Sequence, residues 1–204
     1  MRNRAFFVWG GLFEIALGVL AIGVGWLFDL PVLDTLTGGW REVGLGLLAS
    51  LPMLVLFVVC IAVPWRPFLR IKAFTDDILR PLLANCTIVE LAALSLGAGL
   101  GEELLFRAAL QGLLTRWFGQ LAALVVASVV FGLMHAITPT YAMGATLLGA
   151  WLGWCWQVAD SLLVAVVAHA FYDFVALVAL VHGPRRWFVV GGDPEENNPI
   201  QVEN

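Results

Sequence analysis

From Ala5 to Phe28 the chain runs for 24 residues with a single ionisable side chain, Glu14. At 1.5 Å of rise per residue, a helix of about 20 apolar residues crosses the roughly 30 Å hydrocarbon core of a bilayer. Similar runs recur, with loose boundaries, at Val43–Val63, Leu83–Leu100, Leu121–Ala136, Met143–Val158 and Leu162–Val181. Composition agrees: 61% of the 204 residues are hydrophobic and 13% are charged, where a soluble domain carries about a quarter charged residues. Lipid offers no water to backbone N–H and C=O groups, so only helices and closed barrels span it, and no alternating barrel pattern competes. The expected fold is all-α, a polytopic transmembrane helical bundle of six to eight segments.

The opening "MRNR" and the run after it resemble a signal peptide, but the run exceeds the usual apolar region of roughly 7–15 residues and no A-x-A-like site follows. A retained first span is expected. Residues 1–184 should form the membrane-embedded helical domain, and 185–204, with Asp193, Glu195, Glu196 and Glu203, an acidic disordered tail. The stretch "PWRPFLRIKAFTDDILRP" between the second and third runs is basic and carries a Trp, the pattern of an interfacial helix. If Gly101–Phe118 crosses once, Arg2, Arg4, Arg66, Arg70, Lys72, Arg80 and Arg116 share one side, against Arg41, Arg185 and Arg186 on the other. The positive-inside rule then places the N-terminus in the cytoplasm. No basic patch interleaved with aromatics points to nucleic acid. Cys60, Cys86 and Cys155 stand singly in apolar stretches and read as packed thiols. Gly97/Gly101 and Gly149/Gly153 have the small-x-x-x-small spacing of close helix contacts, although glycine is common in membrane helices anyway.

Against this background the ionisable residues at membrane depth stand out: Glu14, Glu90, Glu102, Glu103, Arg107, His135, His169 and Asp173. Charge in lipid is costly and marks function by default. Glu103 and Arg107 are four apart, with the acid N-terminal, so a helix pairs them. Glu102 is rotated about 100° from that face and has no such partner, which leaves it able to accept a proton from water. Phe131 and His135 share a helical face, as do His169 and Asp173. Glu102 is expected to open one helix and His135 to close the next, antiparallel one, which places both at one level. His169, about 12 Å into the last span, reaches towards it. Two chemistries suit this set. Glu102 assisted by His135 could activate water while His169 and Asp173 face a developing oxyanion. Alternatively, His135, His169 and Glu102 could hold a Zn²⁺ that activates the water, although the H-E-x-x-H spacing of common zinc peptidases is absent.

The motifs resemble those of the CPBP intramembrane proteases, also called the Abi or CAAX-processing family. That pattern runs E-E-x-x-x-R, F-x-x-x-H and H-x-x-x-N/D on successive membrane helices. Here it is met by Glu102-Glu103-Leu104-Leu105-Phe106-Arg107, by Phe131-Gly132-Leu133-Met134-His135 and by His169-Ala170-Phe171-Tyr172-Asp173, within a family core of about 97–180. The resemblance implies peptide-bond hydrolysis in the bilayer. Glu102 would be the base on water with His135 assisting, His169 and Asp173 the oxyanion-side residues, and Glu103 with Arg107 the supporting pair. Two positions depart from the pattern: Ala108 follows the arginine where glycine is frequent, and residue 173 is Asp rather than Asn. An ionised Asp cannot donate a hydrogen bond, which keeps both chemistries open. The expectation is an intramembrane endopeptidase, glutamate- or metal-dependent, with either no cofactor or Zn²⁺. Its partners would be a peptide or protein substrate presented in the membrane and the lipid bilayer, with no nucleic acid, and its location a bacterial inner membrane. The rival is a non-catalytic immunity or scaffold protein that keeps the polar core for packing.

Overall fold

The computed structural model describes residues 2–188, and all of its regular structure there is helical. Six long helices carry the fold: α1 (Arg2–Phe28), α2 (Trp40–Ala62), α5 (Ile88–Glu103), α6 (Gly112–Met134), α7 (Pro139–Ala159) and α8 (Leu162–His182). Two short ones, α3 (Arg66–Phe74) and α4 (Arg80–Leu83), flank a π-helical turn at Thr75–Leu79, so the stretch read as an interfacial helix is helical. The helical membrane bundle is therefore as expected, at the lower end of six to eight segments. Four stretches are long and apolar enough to cross a membrane: Ala5–Phe28, Trp40–Ala62, Ile88–Met134, which is interrupted at Gly119, and Leu162–His182. The span expected at Met143–Val158 forms as α7, but its Gly, Thr, Trp and Gln residues keep it out of that set.

The sequence reading erred in breaking the chain at Gly101. Residues 88–118 form one helical rod, in which α5 passes through a π-helical stretch, Leu104–Gln111, into α6. Gly101 is a contact, not a break. A Cβ there would collide with the backbone carbonyl of Glu14, so the missing side chain lets α1 lie directly on α5. The real reversal comes at Gly119, with φ 79° and ψ 168°, a conformation open almost only to glycine. The chain there folds back so that Phe131 meets Phe106 edge-to-face at 5.1 Å. At the other end of the rod, Thr87 caps α5 by accepting from the Glu90 N–H at 3.2 Å, while the Glu90 carboxylate accepts from the Thr87 N–H at 2.8 Å. Glu90 is thus used as a capping residue.

Helix α8 is the hub. Gly46 of α2 abuts Val167, and Gly99 of α5 abuts Ala170, at places where an added Cβ would stand 2.6 and 2.8 Å from those side chains. Leu162, Ala165, Ala168 and Ala170 of α8 are buried in consequence. At its C-terminal end, Arg185–Trp187 form a 3₁₀ turn, and the buried Phe188 lies under the Arg80 guanidinium at 5.2 Å. The first residues of the expected tail are therefore ordered against the bundle; the rest of it, including Asp193, Glu195, Glu196 and Glu203, lies outside the described residues.

Candidate active site

The π-helical stretch sets the site's floor. Arg107 is buried and makes three contacts: its Nε stands 3.1 Å from Glu103 Oε2, its Nη2 donates to the Gly149 carbonyl at 3.1 Å, and its guanidinium lies 4.4 Å from the Phe131 ring centroid. One turn on, Gln111 Nε2 donates to the Gly153 carbonyl at 3.4 Å. The Gly149/Gly153 pair therefore bares two successive carbonyls of α7 to two donors, with room only because neither glycine has a side chain: a Cβ on Gly149 would stand 3.3 Å from Arg107 Nη2. π-helical turns recur at functional sites because they re-aim side chains out of the regular ladder.

The six expected site residues come together above this floor. Glu102 Oε2 lies 3.6 Å from His135 Nε2 and 4.0 Å from His169 Nε2, and His169 Nε2 lies 3.6 Å from Asp173 Oδ2. Four elements supply them: Glu102 and Glu103 end α5, Arg107 sits in the π stretch, His135 caps the C-terminus of α6, and His169 and Asp173 lie on α8. Glu102 does not open its helix as expected; it sits mid-rod, and the level it shares with His135 results from the fold-back at Gly119.

Each ring nitrogen has a defined role. His135 Nδ1 is 2.8 Å from the Phe131 carbonyl; a carbonyl only accepts, so Nδ1 carries the proton and a neutral ring turns the Nε2 lone pair towards Glu102. The Phe131 ring stacks beside the imidazole at 4.4 Å, screening it as its spacing suggested. His169 Nδ1 donates to Glu103 Oε1 at 2.8 Å. Glu103 thus bridges Arg107 and His169, a second role that its i, i+4 spacing could not reveal because α8 is distant in sequence. Exposure grades across the cluster: the side chains of Glu103 and Arg107 are 0% and 1% exposed, against 28% for His135 and 27% for Asp173.

Two residues outside the expected six also belong to this region. Glu14 of α1 has Glu102, His169 and Asp173 as electrostatic neighbours, and Tyr141 in the first turn of α7 has Asp173 and Glu102. Glu14 had a sequence signal, as the sole charge roughly 15 Å into the first apolar run; Tyr141 had none. An apolar cleft of about 370 Å³ opens between Val24 and Phe28 of α1, Leu105, Phe106 and Ala109 of the π stretch, and Met134.

The chemistry of the donors suits zinc: two imidazole Nε2 atoms and a carboxylate, with both Nδ1 atoms tied to oxygen acceptors as metal-bound histidines usually are. Among the described residues no three His, Cys, Asp or Glu side chains are grouped as a ready metal site; His135, His169 and Glu102 would be the ligands of such an ion, and the ion would supply a Lewis acid to the water.

A bundle of apolar helices that buries the Glu102 carboxylate against two imidazoles and the Asp173 carboxylate is a helical membrane protein with a buried polar centre. Residues 84–175 match the family model described as Type II CAAX prenyl endopeptidase Rce1-like, a model of the CPBP family. The match runs from the end of α4 through α5, α6 and α7 into α8 as far as Val175, which includes Asp173, and leaves out α1 and α2. No curated protein and no solved structure matches the chain.

Proposed function

We propose that the protein is an intramembrane endopeptidase in which Glu102 is the general base on a hydrolytic water. Glu102 carries the reading: it is only 8% exposed, yet its Oε2 makes no hydrogen bond and faces two imidazole nitrogens across gaps of 3.6 and 4.0 Å. Gaps of this size are too long for direct hydrogen bonds and suit a bridging water. Glu102 takes the water's proton as the oxygen attacks the scissile carbonyl, and the His135 Nε2 lone pair holds the water in line. The carbonyl oxygen becomes an oxyanion facing His169, whose imidazolium form donates from Nε2 while Glu103 fixes the ring through Nδ1. Asp173 Oδ2, 3.6 Å from the same Nε2, orients and charges that ring, which gives an acidic residue a use at a position where a donor is the family pattern. The apolar cleft beside Phe106 receives an apolar part of the substrate. Prenylation of the substrate is no part of the proposal; placement in a bacterial plasma membrane is.

The test is cleavage of a fluorogenic peptide library, with CAAX-type and unrelated apolar members, by the purified protein in liposomes. Glu102→Gln should lower kcat by about 10²–10⁴-fold with unfolding unchanged. Full activity in a folded Glu102→Gln variant sinks the mechanism.

A further inference from the structure

Glu14 lies on α1, outside the segment that the family model matches, and none of the motifs includes it. The structure nevertheless builds it into the site. Its backbone rests on Gly101, next to Glu102, and its Cβ and Cγ lie 3.4 and 3.6 Å from where a Cβ on Gly97 would stand. The side chain is therefore held along the face of α5, one turn from the catalytic level. Its Oε2 is shielded from solvent and has no hydrogen-bond partner. Its electrostatic neighbours are Glu102, His169 and Asp173, all members of the proposed machinery.

The charge balance of this layer gives the carboxyl a task. The carboxyl groups are Glu14, Glu102, Glu103 and Asp173; Arg107 is committed to Glu103 at 3.1 Å, and His169 stands among Glu102, Glu103 and Asp173. Even with an imidazolium at His169, carboxyls outnumber cations, and like charges in a poorly hydrated site do not all ionise together. Such a layer favours holding one of its carboxyls as the neutral acid. Hydrolysis of an amide needs such a group, because nitrogen leaves only after it gains a proton.

We propose that Glu14 is the general acid of the site, the donor of a proton to the leaving amine; this rests on the endopeptidase reading. Glu102 starts ionised and Glu14 protonated. Glu102 takes one proton from water, hydroxide adds to the carbonyl carbon, Glu14 gives its proton to the nitrogen, and the C–N bond breaks with its electron pair on nitrogen. The products are a carboxylic acid and an amine, and transfer of the proton from Glu102 to Glu14 through water restores the start. Two carboxyl groups in opposite protonation states are a recurring device for such chemistry.

The experiment compares wild type, Glu14→Gln and Glu14→Asp on one fluorogenic peptide that wild type cleaves and on the same peptide with an ester at the scissile bond. Glu14→Gln should lose about 10²–10⁴-fold in kcat on the amide with KM little changed, far less on the ester, whose alkoxide leaves more readily, and Glu14→Asp should regain part of the loss. Equal losses on both substrates, or an unaltered amide rate, overturn the assignment. Infrared spectra give a reading independent of turnover: the protonated-carboxyl absorption of wild type should lose the Glu14 component in Glu14→Gln, and identical carboxyl absorption in the two proteins also overturns the assignment. A wild type that cleaves no peptide overturns the endopeptidase reading and this assignment with it, whereas cleavage that ignores Glu14 overturns this assignment alone.

Discussion

Replacing Arg107 by Met separates the site's support from its chemistry. The guanidinium is 1% exposed and its partner Glu103 is 0% exposed, so the substitution leaves a carboxylate buried without its cation. Breaking a buried pair in this way costs about 3–5 kcal/mol. The Gly149 carbonyl loses a donor, worth about 1 kcal/mol, and the face of Phe131 loses a cation at 4.4 Å, worth about 1–2 kcal/mol when desolvated. These contributions share atoms and do not add in full, and protonation of Glu103 limits the loss. The expected fall is about 4 kcal/mol, roughly a thousandfold in the unfolding equilibrium. Reversible unfolding in mixed detergent–SDS micelles measures it. The double variant Glu103→Met/Arg107→Met removes the stranded charge and should be more stable than Arg107→Met alone, since apolar replacement of a whole buried pair is often neutral. It should nevertheless be inactive, because His169 Nδ1 has lost its acceptor. Arg107→Met within about 1 kcal/mol of wild type, or a double variant no more stable than the single, would refute the reasoning.

Gly101→Ala should lower stability by about 1–3 kcal/mol, because the new Cβ meets a backbone carbonyl that cannot swing aside; Gly97→Ala, which meets Glu14 Cβ at 3.4 Å, should cost clearly less, and equal effects would count against the α1–α5 notch. Gly119→Ala should cost about 1–3 kcal/mol through its backbone conformation alone, since nothing lies within 4 Å. Gly23→Ala, in open space within helical α1, should be neutral or stabilising in the same unfolding assay. Elemental analysis of purified wild type beside His135→Ala/His169→Ala should find the same zinc content in both. About one zinc per chain, lost in the double variant, would make the metal-activated water the leading mechanism.

The sequence was most legible where the physics is local. Apolar run length gave the bundle, and i, i+4 spacing gave the Glu103–Arg107 pair and the face shared by Phe131 and His135. The level common to Glu102 and His135 also emerged, though by an argument that broke the rod in the wrong place. Glycine was the ambiguous letter: Gly101 and Gly119 look alike in the sequence, yet one is a helical notch for α1 and the other a reversal. The polar surroundings of "RWFGQ" were the available clue to the second. What could not be read was any contact between helices distant in the chain. Glu103 takes its second partner from α8, 66 residues away, and Glu14 meets α5 only because α1 returns to the bundle.

On the proposed hydrolytic reading, helix lengths suggest a route for water to a site buried among apolar helices. After Gly119 the chain has residues 120–134 in which to descend, roughly fifteen residues or about 22 Å, less than the roughly 30 Å needed to cross. The turn His135–Thr138 before α7 therefore stops at the level of Glu102 instead of reaching the far surface. The rod of residues 88–118 and helix α8 continue past that level. The exposure gradient follows this geometry: Glu103 and Arg107, towards the π-helical floor, are sealed, whereas His135 and Asp173, away from it, are each more than a quarter exposed. On the endopeptidase reading the site needs both conditions, a dry side that holds its charges in place and a wet side that supplies the nucleophile. The short α6–α7 hairpin is the feature proposed to supply the second, towards the end of the bundle where α5 begins.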